Sequence, residues 1–198
     1  MPPVPPTIRR AGTGRLPGGR RLTWTVADGR RGRRWRAITS SADGRLVQDL
    51  LLEVDPAGRL VKLEVAAPAG LLTLHPGVGE GSLHGNVVRP GGVEHVDLPW
   101  SSGHALVCGG SPVTGAVAAL ELEAHVGVGE GASFPAVEVA EDLSIRRATW
   151  RAARVGERRW RLLAADGGPS VTVELDDDGA PAGLDEAESW PLERAGPA

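Results

Sequence analysis

Short runs of alternating apolar and polar residues, cut repeatedly by Gly, Pro and Asp clusters, leave antiparallel β structure as the main option for this chain. Residues 21–27 put Leu22, Trp24 and Val26 on one face. Asp28-Gly29 then opens a turn from which residues 35–40 return. Leu46–Val54 and residues 60–66 flank Asp55-Pro56-Ala57-Gly58, whose Pro and Gly suit a tight connection. In the second of these runs Val61, Leu63 and Val65 alternate with Lys62 and Glu64, as in a strand with one wet face. Residues 71–74 are short and apolar. Residues 82–88 and 93–98 flank Arg89-Pro90-Gly91-Gly92, and the broken alternation at Val93, Val96 and Leu98 predicts a bulge. Further on, residues 116–123 fit a short helix or a strand. Residues 137–139 and 144–153 fit strands, and residues 158–164 with Ser170–Leu175 fit a closing hairpin. No long amphipathic helix is visible.

At 198 residues the chain suits one domain. Residues 1–19 combine a Pro-Pro-Val-Pro-Pro start, suited to polyproline II, with Gly and Arg. They predict a disordered tail ahead of a single β-rich domain over 20–194. Residues 1–36 hold ten Arg and one acid, Asp28, while the whole chain carries a net −3. The plain reading is a basic segment that pairs with the acidic C-terminal part, and no nucleic-acid partner is expected. The uncharged run 98–120 is long enough to cross a bilayer, but Pro, Gly, Ser and His interrupt it, so no transmembrane segment is expected. A single Cys, Cys108, excludes an internal disulfide and a Cys-based zinc site. With no apolar leader run near the start, the expectation is a cytoplasmic protein. Open sheets pair their edges, so a homo-oligomer is among the expectations.

Motifs that carry chemistry are sparse. His75-Pro76-Gly77-Val78-Gly79-Glu80-Gly81-Ser82 recurs as His125-Val126-Gly127-Val128-Gly129-Glu130-Gly131-Ala132, but the flanks do not extend the match. Two similar Gly-rich loops explain the echo better than a duplicated half. His75, Glu80, His125 and Glu130 are ligand types that zinc accepts, yet nothing in the sequence brings the two loops together, so no metal is expected. His75, His84, His95 and His104 lie close in sequence, with His84 and His95 set to be cross-strand neighbours. Ser111 follows two Gly but is not in a nucleophile elbow, because position 113 is Val. Residues 77–81 lack the Gly-Lys-Ser/Thr ending of a phosphate loop, and no cofactor is expected. Aromatics are few but biased: six Trp, one Phe and no Tyr. Trp therefore supplies most of the large-residue packing or lines a cavity.

A resemblance rests on the second half. Gly110-Ser111-Pro112-Val113-Thr114 enters an apolar stretch, residues 116–122, and a Gly-rich turn follows at 127–131. Then come Ile145-Arg146-Arg147-Ala148-Thr149-Trp150, the run 171–179 ending Asp176-Asp177-Asp178-Gly179, and Ser189-Trp190-Pro191-Leu192-Glu193-Arg194. This layout resembles a bacterial glycolipid-binding family of uncharacterised domains over roughly residues 20–194. Where that family tends to carry an Asn and paired Arg after Ser-Pro, this sequence has Gly115 and residues 116–120.

The resemblance implies a curved antiparallel sheet forming a half-barrel or open barrel with few short helices. It implies non-enzymatic binding of a lipid, glycolipid or similar amphiphile in an apolar cavity. Trp24, Trp35, Trp100 and Trp150 are then the expected lining, and Arg146 and Arg147 the expected contacts to a head group. The competing expectations are a small β-barrel enzyme that uses the histidines as acid/base or metal ligands, and an interaction scaffold.

Overall fold

The computed structural model describes residues 8–78, 81–109 and 111–192. The proline-rich start, Gly79-Glu80, Gly110 and residues 193–198, Glu193-Arg194 among them, lie outside the described residues.

The alternating runs become a long meander. Strands β1 (Arg9–Arg15), β2 (Arg21–Gly29), β3 (Gly32–Ser40), β4 (Leu46–Val54), β5 (Leu60–Ala67), β6 (Gly70–Pro76), β7 (Gly81–Arg89) and β8 (Gly92–Trp100) lie side by side in chain order. All of these neighbours are antiparallel. A second sheet, curled as a half-barrel, holds β9 (Ala105–Cys108), β10 (Gly131–Val139), β11 (Ile145–Arg154), β12 (Arg159–Ala164), β13 (Ser170–Leu175) and β14 (Pro181–Ala182). Helix α1 (Pro112–Glu123) connects β9 to β10. The last strand, β15 (Asp185–Pro191), returns to the first sheet beside β1.

Two expectations change. Residues 9–15 are not tail: β1 is held between β2 and β15, and its sequence hides this because Gly12 and Gly14 replace the apolar residues of an ordinary strand. The expected bulge on β8 is absent, since β7 and β8 stay in register from Gly81↔Trp100 to Arg89↔Gly92. The broken alternation instead reflects an edge strand whose residues are largely exposed. A register shift occurs on β5, between Val54↔Leu60 and Glu53↔Lys62, and leaves Val61 as the extra, exposed residue. The echoed Gly-rich segments also differ in context: one joins β6 to β7, the other joins α1 to β10.

Helix α1 settles the ambiguity of residues 116–123. It lacks an amphipathic stripe because its first two turns are buried all round, from Pro112 to Ala116 and again at Ala118 and Ala119. It is the crossover of a β9–α1–β10 unit, and β9 and β10 are parallel, Ala136↔Ala105 to Val139↔Cys108. Where they pair, both strands are buried on both faces. Leu106, Cys108, Val137 and Val139 join the core of the first sheet. Ala105, Val107, Phe134 and Ala136 join a second core with α1, Trp150 and Trp160.

The first core is built on Trp24 and Trp35, whose ring centroids are 6.2 Å apart, with Leu22, Leu50, Leu63, Leu72 and Leu74 around them. Gly12, paired with Trp24 across β1 and β2, leaves the space that the indole occupies; a β-carbon there would run into the ring. Gly12→Ala is therefore expected to destabilise the fold by about 1–3 kcal/mol through overpacking. Adding Trp24→Phe should recover part of that loss. Chemical denaturation of the single and double variants checks both points.

Candidate functional site

The first sheet ends in a row of tight turns, and α1 lies across one end of that row. The β2–β3 turn around Arg30, the β4–β5 turn over residues 55–58, and Val117, Leu120 and Glu121 of α1 enclose an open cleft of about 680 Å³. This falls within the usual range of ligand sites, roughly 300–1,000 Å³. Its lining is mainly apolar: Trp35, Val54, Pro56, Ala57, Val117 and Leu120. Trp35 is fully buried, and its indole Nε1–H has no acceptor among the described residues.

The rim is charged but largely self-paired. Asp28 accepts two hydrogen bonds from Arg33, at 2.7 and 3.1 Å, and Arg33 also donates to the Asp178 carbonyl at 2.8 Å. The Arg33 guanidinium lies 5.8 Å from the centre of the Trp35 ring. Asp55 accepts from Arg59 Nε at 2.8 Å and from the backbone N–H groups of Ala57 and Arg59. The Arg59 hydrogen bond is the main reason that its carboxyl lies below the usual carboxylate range.

Two smaller hollows adjoin the cleft. One lies beneath Trp100 and His104, against Leu52, Leu60 and Val117. The other opens past Arg59, Ser82 and Ser101. His104 stacks near Trp100, with ring centroids 5.4 Å apart. Its Nδ1 accepts the Ser101 backbone N–H at 3.1 Å, so the neutral ring carries its proton on Nε2.

Glu121 borders all three spaces. It has no hydrogen-bond or ion-pair partner among the described residues. Crowding by protein pushes its carboxyl up to about 7. The residue is exposed by surface area, so solvent screening weakens the effect.

The expected site residues separate. Trp35 and Trp100 border the cleft and its extensions. Trp24 is packed in the first core and Trp150 in the second, and neither lines the cleft. Arg146, on the second sheet, is held between Glu138 at 2.9 Å and Asp166 at 2.7 Å. Arg147 is exposed on the same strand, opposite Val137. The residues that sequence reading missed are those of α1. The available signal was Glu121 itself, the first charge after the uncharged run 98–120.

The histidines do not converge. His84 faces Asp97 and His95 faces Asn86, so the expected cross-strand pair is offset, while His75 pairs with His84. On β7, Ser82 Oγ lies 2.7 Å from His84 Nε2, and His84 Nδ1 lies 3.4 Å from Asp97 Oδ1. Gly77 makes room for this pair, since a β-carbon there would strike both Ser82 Oγ and the His84 ring. Of the zinc-type set, Glu80 lies outside the described residues, and Glu130 accepts the Gly127 backbone N–H. The described residues hold no cluster of three or more His, Cys, Asp or Glu set for a metal. Cys108 is buried, and burial pushes its thiol up to about 12.

The arginine-rich start pairs with carboxylates elsewhere. Arg10 meets Asp176 at 2.6 Å and Asp178 at 2.7 Å, Arg15 meets Glu186, Arg20 meets Glu141, and Arg36 meets Asp49. No helix among the described residues is long and apolar enough to cross a membrane.

This geometry defines a two-sheet β protein with an apolar cleft between hairpin turns and a crossover helix. No protein family and no curated protein matches the sequence. Among solved structures, the chain is similar to a DUF1089 family protein from Pseudomonas aeruginosa, with a TM-score of 0.51 and 18% identity. The match covers 93% of this chain and 94% of that one. At that identity the likeness shows a shared fold from end to end and nothing of function.

Glu121 should be visible in pH-dependent stability. An unfolded chain loses this proton near 4.5 and the folded protein near 7. The stability tied to the protonated carboxyl is thus complete below about 4.5 and lost as pH rises to about 7. The melting temperature of Glu121→Gln relative to the wild type should stay level at low pH, rise through this window and plateau above it. A flat difference across thermal melts at several pH values would remove the desolvated carboxyl from the description.

Proposed function

We propose that the protein binds the chain of a lipid, glycolipid or similar amphiphile in the cleft beneath α1, without converting it chemically. The supporting observation is the cleft's composition: an apolar lining of Val54, Pro56, Val117 and Leu120, backed by buried Trp35, under a rim of charged residues. The interior of the first sheet is filled by its own tryptophans and leucines, so the site is the mouth of the sheet rather than its hollow.

The energetics favour modest affinity. Burying a dodecyl chain yields about 9 kcal/mol at roughly 0.8 per methylene. Association costs at least about 4 kcal/mol, which leaves a dissociation constant on the order of 0.1 mM before head-group contacts.

Native mass spectrometry of gently purified protein, then solvent extraction, should show a carried amphiphile or one-to-one uptake of a fluorescent fatty-acid probe. Ala57→Trp, which fills the cleft from an exposed turn, should weaken uptake at least tenfold and leave the melting temperature unchanged. Empty protein that also refuses the probe defeats this reading.

A second reading, ester hydrolysis, rests on Ser82, His84 and Asp97. Ser82 Oγ would attack the carbonyl as His84 Nε2 takes its proton and returns it to the departing alcohol, water would then hydrolyse the acyl-serine, and Asp97 would steady Nδ1–H. It ranks second because the side chains of His84 and Asp97 are 44% and 74% exposed, and water weakens such a relay. Under the binding reading, p-nitrophenyl butyrate hydrolysis is equally slow in wild type and Ser82→Ala. A protein-dependent rate that Ser82→Ala cuts a hundredfold would establish the hydrolase instead.

A further inference from the structure

The charged groups around the cleft and its hollows, Asp28, Asp55 and Glu121 against Arg30, Arg33 and Arg59, balance in number but not in pairing. Asp28 is committed to Arg33 and Asp55 to Arg59. Arg30 stands on an exposed turn and borders only the first of the three spaces. His104 Nδ1 is taken by Ser101. Glu121 alone faces the cleft and both adjoining hollows from the helix, and it does so without a partner among the described residues.

Its position on α1 sharpens the imbalance. The helix ends at Glu123, so Glu121 lies in the last turn, where backbone carbonyls already carry negative partial charge. That turn holds no basic residue to offset it. Trp100 borders the same two hollows as Glu121 and offers an aromatic face, which attracts cations. Carboxylate, carbonyl ends and indole all favour positive charge at this point.

We infer that Glu121 anchors the head group of the bound amphiphile, and that this head group is a protonated amine rather than an anion. The inference rests on the amphiphile-binding reading above. An ammonium donates charge-assisted hydrogen bonds to the carboxylate while its chain lies along Pro56, Val117 and Leu120. It also removes the cost of holding Glu121 ionised in crowded surroundings, so binding and loss of the Glu121 proton are coupled. Affinity for the amine therefore rises with pH until Glu121 is fully ionised. The groups facing Glu121 across these spaces are Asp28, Arg30 and Arg33 from β2–β3, Asp55 and Arg59 from β4–β5, and His104 from the segment after β8.

The test uses three dodecyl amphiphiles below their micelle-forming concentrations: dodecylammonium, dodecanoate and dodecyl maltoside. Binding to the full chain is followed by NMR or calorimetric titration. At pH 8 the wild type should prefer dodecylammonium at least tenfold over the other two. Glu121→Gln should erase that preference and leave dodecyl maltoside within twofold. Lowering the pH from 8 to 5 should weaken dodecylammonium binding to the wild type and not to the variant. A melting temperature for the variant at pH 8 no lower than the wild type shows that it is folded. If dodecanoate or the maltoside binds as tightly as the amine, or the variant binds all three like the wild type, the anchor is overturned while the amphiphile reading stands. If none of the three binds, the amphiphile reading falls and takes the anchor with it.

Discussion

A strand pair buried on both faces, β9 beside β10, governs the rest of this molecule. Its residues alternate between two cores, Leu106 and Val137 on one side and Val107 and Ala136 on the other. A parallel pair cannot be joined by a tight turn; it needs a crossover, and α1 provides it. The helix must bury its first two turns to cover the second core. Its final turn then emerges beside the turns of the first sheet, and the cleft lies between them.

The meander was legible because each of its strands carries its own signal. β4 and β13 match the residue pattern at both ends, and the turns after β2 and β4 are marked by Asp, Gly and Pro. The unread parts are those where burial is not one-sided. β9 is apolar at every position, so period two disappears. Helix α1 loses its stripe for the same reason. β1 escapes because Gly12 contributes space rather than a side chain, and the evidence for it lies in Trp24, a different strand.

The candidate site was less legible than the fold. Two of the four tryptophans, Trp35 and Trp100, border the cleft, while Trp24 and Trp150 are core. A sequence shows that indoles are present but not which face each takes. Arg146 is expected from the sequence to meet a head group, yet its strand sets it opposite Glu138, a buried carboxylate with which it pairs. Charges that lie far apart in sequence pair across the fold, as Arg10 does with Asp176 and Asp178. The groups left over after such pairing, Glu121 among them, emerge only when the partners are in place.

The seating of β1 between β2 and β15 has a consequence for synthesis. One side of β1 is complete as soon as the first hairpin forms. The other must wait until residues 185–191 leave the ribosome, long after β1 and β2 have been made. Until then the nascent protein presents an open strand edge of the kind that invites pairing with another chain. Such late closure over a long sequence separation marks a slow final step in folding. A chain released before β15 would be an aggregation hazard rather than a truncated version of the same fold.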